Sequence, residues 1–134
     1  MGIKARLNWI EELQFAARAG KGPVVITDSS DGGGGPSPME LVLIGVAGCT
    51  AIDVVLILKK KRLDLKNFEV LIEGEQEEDH PKRFKQIKIE YVVSGKNITP
   101  KAVEQAIELS EKKYCSAMAS IDAEFTHVYR IKDD

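Results

Sequence analysis

The sequence predicts an α+β protein with the element order βββ-α-ββ-α-(α)-β, its helices packed against antiparallel sheets. Three observations predict it. Residues 3–27 alternate between apolar and polar side chains and are broken by a glycine turn. Two helix starts carry cap and proline signals, at Ser37-Pro38 and Thr99-Pro100. A long alternating hairpin lies between those helices, and one further alternating strand closes the chain. Runs of strands interrupted by helices, without strict β-α alternation, indicate antiparallel pairing.

In the first strand Ile3, Ala5, Leu7 and Trp9 face one way and Lys4, Arg6 and Asn8 the other, the pattern of a half-buried strand. Leu13, Phe15 and Ala17 repeat it, Ala19-Gly20-Lys21-Gly22 turns the chain, and Pro23 to Thr27 forms the third strand of a meander. Asp28 to Pro36 holds four consecutive glycines at 32–35, but neither a following Lys-Ser/Thr nor the Gly-x-Gly-x-x-Gly spacing of a phosphate cradle. It reads as a mobile connector.

The first helix starts where Ser37 caps, Pro38 takes the first helical position and Glu40 completes a capping box. It is expected to run from Pro38 to about Lys61, with Gly45, Gly48 and Ala51 as a small-residue stripe open to close packing. Residues 41–58 carry one charge, Asp53, and a basic run from Lys59 to Arg62 follows. A membrane span has that length and flank, and so does a core helix buried on nearly all sides. The central charge and the amphipathic remainder favour the core helix, so no membrane partner is expected.

After it, Phe68, Val70 and Ile72 alternate in one strand and Ile87, Ile89, Tyr91 and Val93 in the next, with a tip at Asp79 to Lys82. Ser94 to Asn97 reads as a turn. Thr99 and Pro100 open the second helix, whose inner face is Val103, Ala106, Ile107, Ser110 and Tyr114. A short apolar segment, Cys115 to Ala119, leads to a last strand over 123–131. One domain over 1–134 is expected, since 134 residues suffice to bury a core and no repeat or linker divides them.

Composition bounds the function. Hydrophobic residues make up 43% and charged residues 30%, ordinary for a folded protein. Nineteen Lys and Arg against twenty-one Asp and Glu give a formal charge of −2, so no nucleic-acid partner is expected. The first residues show no secretory signature, and two cysteines are too few for a disulfide scaffold or a cysteine-based zinc site. His80 and His127 have no ligand spacing. The expectation is a cytoplasmic protein with no metal and no bound cofactor.

Cys49 sits inside the first helix and Cys115 at the kink after the second. Free cysteine is often a small inert core residue, so the residues alone leave both a packing role and a functional thiol open.

The segment from Gly35 to Val55, with Ser37-Pro38-Met39-Glu40-Leu41 and Gly48-Cys49-Thr50, resembles the first cysteine motif of the OsmC/Ohr superfamily, and Lys113-Tyr114-Cys115-Ser116 resembles the second. The element order is similar over essentially the whole chain, and both motifs are closest to the YhfA-like branch. The resemblance implies an OsmC-like intertwined homodimer, with two long central helices between sheets from both chains and sites at the interface. It also implies thiol-dependent reduction of organic hydroperoxides. Cys49 attacks as a thiolate and becomes a sulfenic acid, Cys115 resolves it to a disulfide, and an external thiol reduces that disulfide.

Activation needs a neighbouring cation, because an ordinary thiol is mostly protonated at neutral pH and the helix dipole fades within its first turn. Well-characterised members use an arginine held by a glutamate ten residues before the first cysteine; here that position is Met39. Glu40 lies one residue later, turned about 100° around the helix, and Arg18 in the meander is the candidate arginine. Asp53, one turn after Cys49, is a further supporting candidate: it can orient a cation, repel the thiolate, or bond to backbone. Two other readings stand beside the peroxidase. One is a non-enzymatic binder of a small apolar ligand that lacks the activating pair; in the other, both sulfurs are core packing.

Overall fold

A computed structural model describes residues 2–133. Met1 and Asp134, the ends of the expected domain, lie outside the described residues. Two compact units are distinguished, residues 1–42 and 43–134.

The first unit is an antiparallel meander of β1 (Ala5–Glu11), β2 (Gln14–Ala19) and β3 (Val25–Thr27). Trp9 stands opposite Phe15, and Phe15 opposite Thr27. The expected half-buried face is not buried: every residue of β1 is exposed, Trp9 at 69% and Leu7 at 56%. Leu13 falls in the turn and is exposed as well. A three-stranded meander has no opposing layer of its own to cover a face.

The glycine loop is organised, contrary to the expected mobile connector. The buried Asp28 carboxylate accepts hydrogen bonds from the amides of Ser29 (2.7 Å) and Gly34 (3.0 Å). The Thr27 hydroxyl donates to the Pro36 carbonyl at 2.8 Å. A side chain at Gly35 would place its Cβ 2.1 Å from the Ile26 carbonyl oxygen, so the closure requires glycine there. The backbone bonds hold the Asp28 carboxyl below the usual carboxylate range.

Helix α1 spans Pro38–Lys60. Its capping box is formed: Ser37 N donates to Glu40 Oε1 at 2.8 Å, and Glu40 N to Ser37 Oγ at 3.2 Å. It ends in a Schellman pattern, with Leu63 N bonded to Leu58 O and Arg62 N to Lys59 O around a left-handed Arg62 (φ 60°).

The second unit centres on a sheet of β4 (Asp64–Gln76), β5 (Phe84–Lys96) and β6 (Glu124–Asp133), with β5 in the middle. Ile87, Ile89, Tyr91 and Val93 of β5 are buried, as the alternation predicts. The turn expected at Ser94 to Asn97 is mostly strand, because β5 continues through Lys96 and the reversal falls at Asn97 (φ 61°). β4 and β5 are antiparallel, but β5 and β6 run parallel. That corrects the all-antiparallel expectation. The connection from β5 to β6 is a long crossover carrying helices, which returns the chain to run in the same direction.

The crossover contains α2 (Pro100–Leu109), a π-helical turn η1 (Ser110–Tyr114) and α3 (Ser116–Ala119). Thr99 caps α2 by accepting from Ala102 N at 3.2 Å. The π turn changes which residue faces inward. Cys115 N bonds to Ser110 O at 2.7 Å, a five-residue step. Ser110 and Cys115 are therefore both buried, whereas Tyr114, expected inside at a four-residue step, is half exposed.

Helix α1 is not buried on all sides within one chain. Val46, Thr50, Val54 and Leu58, spaced four apart, are fully covered, while Ile44, Ile52 and Leu56 are more than half exposed. The added Cβ at Gly45 or Gly48 meets nothing, so the close approach expected at the small-residue stripe is not made within the chain.

Candidate active site

The site lies in the second unit, where α1 crosses β5 and the π turn. Thr50 occupies the buried stripe of α1, a hydroxyl among valines. Cys49 and Asp53, four residues apart, form the adjoining, partly exposed face. Because η1 turns Cys115 inward, its sulfur, the Cys49 sulfur and an Asp53 oxygen all lie within 4.8 Å of one another. Both cysteines are free thiols.

Burial pushes the Cys115 thiol up to about 11, with Cys49 beside it adding to the rise and the Met118 and Ala117 amides pulling the other way. Cys115 thus keeps its proton at neutral pH. A cleft of about 390 Å³ opens on it, lined by Met118, Ala119 and Phe125 and edged by Glu111, Lys112 and Lys113. That volume suits a small organic molecule with an apolar body.

Behind the thiols runs a line of buried oxygens. Ser110 donates to Asp53 Oδ2 at 2.9 Å, Ser110 Oγ lies 2.7 Å from Thr50 Oγ1, and Thr50 Oγ1 lies 2.9 Å from the Tyr91 hydroxyl. Tyr91 donates to Glu111 Oε2 at 2.8 Å, and Glu111 Oε1 meets His127 Nδ1 at 3.0 Å. Thr50, Tyr91 and Ser110 have no solvent exposure, whereas His127 is 37% exposed. Burial raises the Tyr91 phenol far above its ordinary value; the Thr50 hydroxyl lowers it and the Glu111 charge raises it further. Tyr91 stays neutral at any physiological pH.

Two thiols and one carboxylate are donor types that bind soft divalent metals, but the trio falls short of the four-ligand sets of structural zinc. Its Asp53 oxygens also serve the Ser110 hydroxyl. A thiol pair beside a carboxylate is better matched to redox chemistry.

Of the residues singled out in the sequence, Cys49, Cys115 and Asp53 come together. Glu40 is exposed and held by its capping bond to Ser37. Arg18 is exposed on β2, opposite Arg6 of β1. Sequence reasoning missed Thr50, Tyr91, Glu111 and His127 as a connected set. The available signal was polarity in apolar stripes: Thr50 between Val46 and Val54, Tyr91 between Ile89 and Val93.

Residues 30–129 match the family model described as OsmC-like protein. The chain is 37% identical over 131 residues to Protein YhfA of Escherichia coli K12, covering 96% of this chain and 98% of that one. Among solved structures, a hypothetical protein from Aquifex aeolicus superposes with a TM-score of 0.91 at 32% identity, covering 100% of this chain and 98% of the other. The organic hydroperoxide resistance protein OhrB of Bacillus subtilis shares the fold at a TM-score of 0.64 and 14% identity, covering 97% and 98%.

Proposed function

The chain belongs to the OsmC-like protein family, and on that premise we propose that it reduces organic hydroperoxides with Cys49 as the attacking thiol and Cys115 as the resolving one. The observation that carries this reading is the convergence of the two sulfurs from positions 49 and 115 to within 4.8 Å. Chance core packing of two inert cysteines gives no reason for that meeting, nor for the cleft beside Cys115.

The chemistry balances without a cofactor. The Cys49 thiolate attacks the distal peroxide oxygen, the O–O bond breaks, and the departing alkoxide takes a proton to leave as the alcohol. Cys49 is then a sulfenic acid. The Cys115 sulfur attacks the Cys49 sulfur, an S–S bond forms, and hydroxide leaves with the Cys115 proton as water. An external dithiol returns the disulfide to two thiols. The raised Cys115 value fits this division of labour, since a resolving thiol that keeps its proton supplies it to the leaving hydroxide.

The same reading includes a homodimer in the cytoplasm. Ile44, Ile52 and Leu56 form an exposed apolar row on α1 beside the open Gly45 and Gly48 positions, a surface suited to a second copy.

Stopped-flow mixing of the reduced protein with cumene hydroperoxide tests the activity. Rapid thiol loss that disappears in Cys49→Ser supports it; equal consumption by Cys49→Ser removes it. One observation favours the alternative of a non-enzymatic binder of a small apolar ligand: Glu40 is used as a cap, and Met39 stands at the position ten residues before Cys49 where the family resemblance implies an activating glutamate. Retained apolar ligand binding without turnover distinguishes that case.

A further inference from the structure

Three hydroxyl protons serve four oxygen–oxygen contacts between Asp53 and Glu111. With both carboxylates ionised, Ser110 donates to one and Tyr91 to the other. Thr50 then has a single proton for its contacts at 2.7 and 2.9 Å, and one contact is left as two facing lone pairs. A fourth proton on either carboxyl completes the set. All three hydroxyls then point the same way along the chain, and the carboxyl that holds the extra proton sets the direction. Moving that proton from one end to the other reverses the three hydroxyls and displaces no heavy atom.

We propose that Ser110, Thr50 and Tyr91 form a proton relay linking the thiol site at Asp53 to the protein surface at His127. The inner end lies at the sulfurs: Asp53 is within 4.8 Å of both, the reach of one bridging water. The outer end is wet, because His127 lines a cleft with Glu104, Glu108, Glu111 and Lys112. The middle has no solvent exposure, since Ser110, Thr50 and Tyr91 are fully buried, and the hydroxyls give a continuous path through it. Tyr91 passes a proton without ionising: it receives one on its oxygen as it releases its own to the next group.

The relay rests on the peroxidase reading for its purpose. Before attack, the Cys49 thiol proton goes to Asp53, the hydroxyls reverse, and Glu111 hands a proton to His127 Nδ1, leaving an imidazolium at the surface. When the O–O bond breaks, the reverse movement returns a proton to the alkoxide. No proton is gained or lost over the two steps. Thr50, Tyr91 and Ser110 are positioning residues in this scheme; only the sulfurs touch the reacting atoms.

The test reads thiol ionisation separately from peroxide turnover. Alkylation of Cys49 by monobromobimane is followed from pH 5 to 9 in wild type, Thr50→Val, Thr50→Ser and His127→Gln, with cumene hydroperoxide oxidation in H2O and D2O alongside. The charged and titratable groups around the two ends are Cys49 and Cys115 at Asp53, and Tyr91, Glu104, Glu108, Glu111 and Lys112 at His127. In wild type the alkylation profile is expected to carry a step that vanishes in His127→Gln. Thr50→Val, equal in volume but without the hydroxyl, loses the same step and slows alkylation at pH 7 by about tenfold or more, while Thr50→Ser restores both. Should Thr50→Val fail to fold by circular dichroism, Tyr91→Phe interrupts the same line.

A step that survives Thr50→Val and Tyr91→Phe, or one that Thr50→Ser fails to restore, overturns the relay. Loss of the step with no peroxide consumption by wild type keeps the relay and removes the peroxidase. Unchanged peroxide rates and an unchanged D2O effect in Thr50→Val keep the peroxidase and remove the relay.

Discussion

Ser110 donates its hydroxyl to Asp53 at 2.9 Å, and this single bond joins the thiol pair to the polar line inside the protein. Ser110 reaches Asp53 because the π turn begins there, and the same turn brings Cys115 inward five residues later. One irregularity of the crossover therefore sets both the resolving sulfur and the hydroxyl that bonds the carboxylate beside it. An uninterrupted α-helix would present Tyr114 in place of Cys115 and leave the sulfurs apart.

Replacing Cys115 separates the two chemical steps. Cys115→Ser is expected to consume one equivalent of cumene hydroperoxide at a rate within about threefold of wild type, since the resolving thiol takes no part in that step. Oxidation then stops at the Cys49 sulfenic acid. Dimedone trapping followed by mass spectrometry checks this. A Cys115→Ser protein that loses its thiol to peroxide yet yields no dimedone adduct on Cys49 contradicts the assignment.

The raised Cys115 thiol predicts a pH signature. Its alkylation by iodoacetamide, read peptide by peptide in wild type, should rise about tenfold per pH unit between pH 8 and 10 and level off near its value of about 11. Stability follows the same sign. The native state holds the Cys115 proton more tightly than the unfolded chain, so its contribution is complete below the unfolded value near ~9 and is lost as pH rises toward 11. Urea midpoints measured from pH 8 to 11 should fall in wild type more than in Cys115→Ala.

The helix starts at Ser37-Pro38 and Thr99-Pro100 and the strand alternation of β5 were legible because each rests on local chemistry or short periodicity, whereas the pairing of the two cysteines was legible only through the family resemblance. Three features were not. The parallel pairing of β6 depends on where a long crossover returns, which no local pattern encodes. The π turn adds one residue to a helical step, and no residue type in Ser110 to Tyr114 requires it. The line from Asp53 to His127 joins α1, the π turn, β5 and β6, so its members are adjacent only in space. The exposed faces of β1 and α1 mark a different case: the apolar alternation is present in the sequence, but the burial expected from it is not found within the chain.

Asp28 predicts an acid-sensitive loop. Its carboxyl is held low chiefly by the Ser29 and Gly34 amides, so its stabilisation is present above the unfolded carboxylate value and lost as pH falls through the lower folded one. Asp28→Ala should therefore lower the melting temperature at pH 7 and open residues 28–36 to proteolysis, while at the acid extreme the two proteins converge. Equal protease sensitivity at pH 7 would falsify the closing role of the carboxylate.

The two faces of α1 predict opposite responses to substitution. Leu58 is fully buried, so Leu58→Ala should cost about 3 kcal/mol in urea unfolding through the lost apolar contact and the cavity left behind. Ile52 is 64% exposed in the single chain, and its truncation should leave the stability of an isolated chain nearly unchanged. A homodimer reverses that second expectation, because Ile52→Glu then places a charge in a buried apolar seam and shifts the particle from twice 14.8 kDa to 14.8 kDa. Light scattering on the eluting peak, across protein concentrations, reads the mass directly. Wild type running at 14.8 kDa at micromolar concentration would leave the apolar row on α1 facing water and remove the dimer.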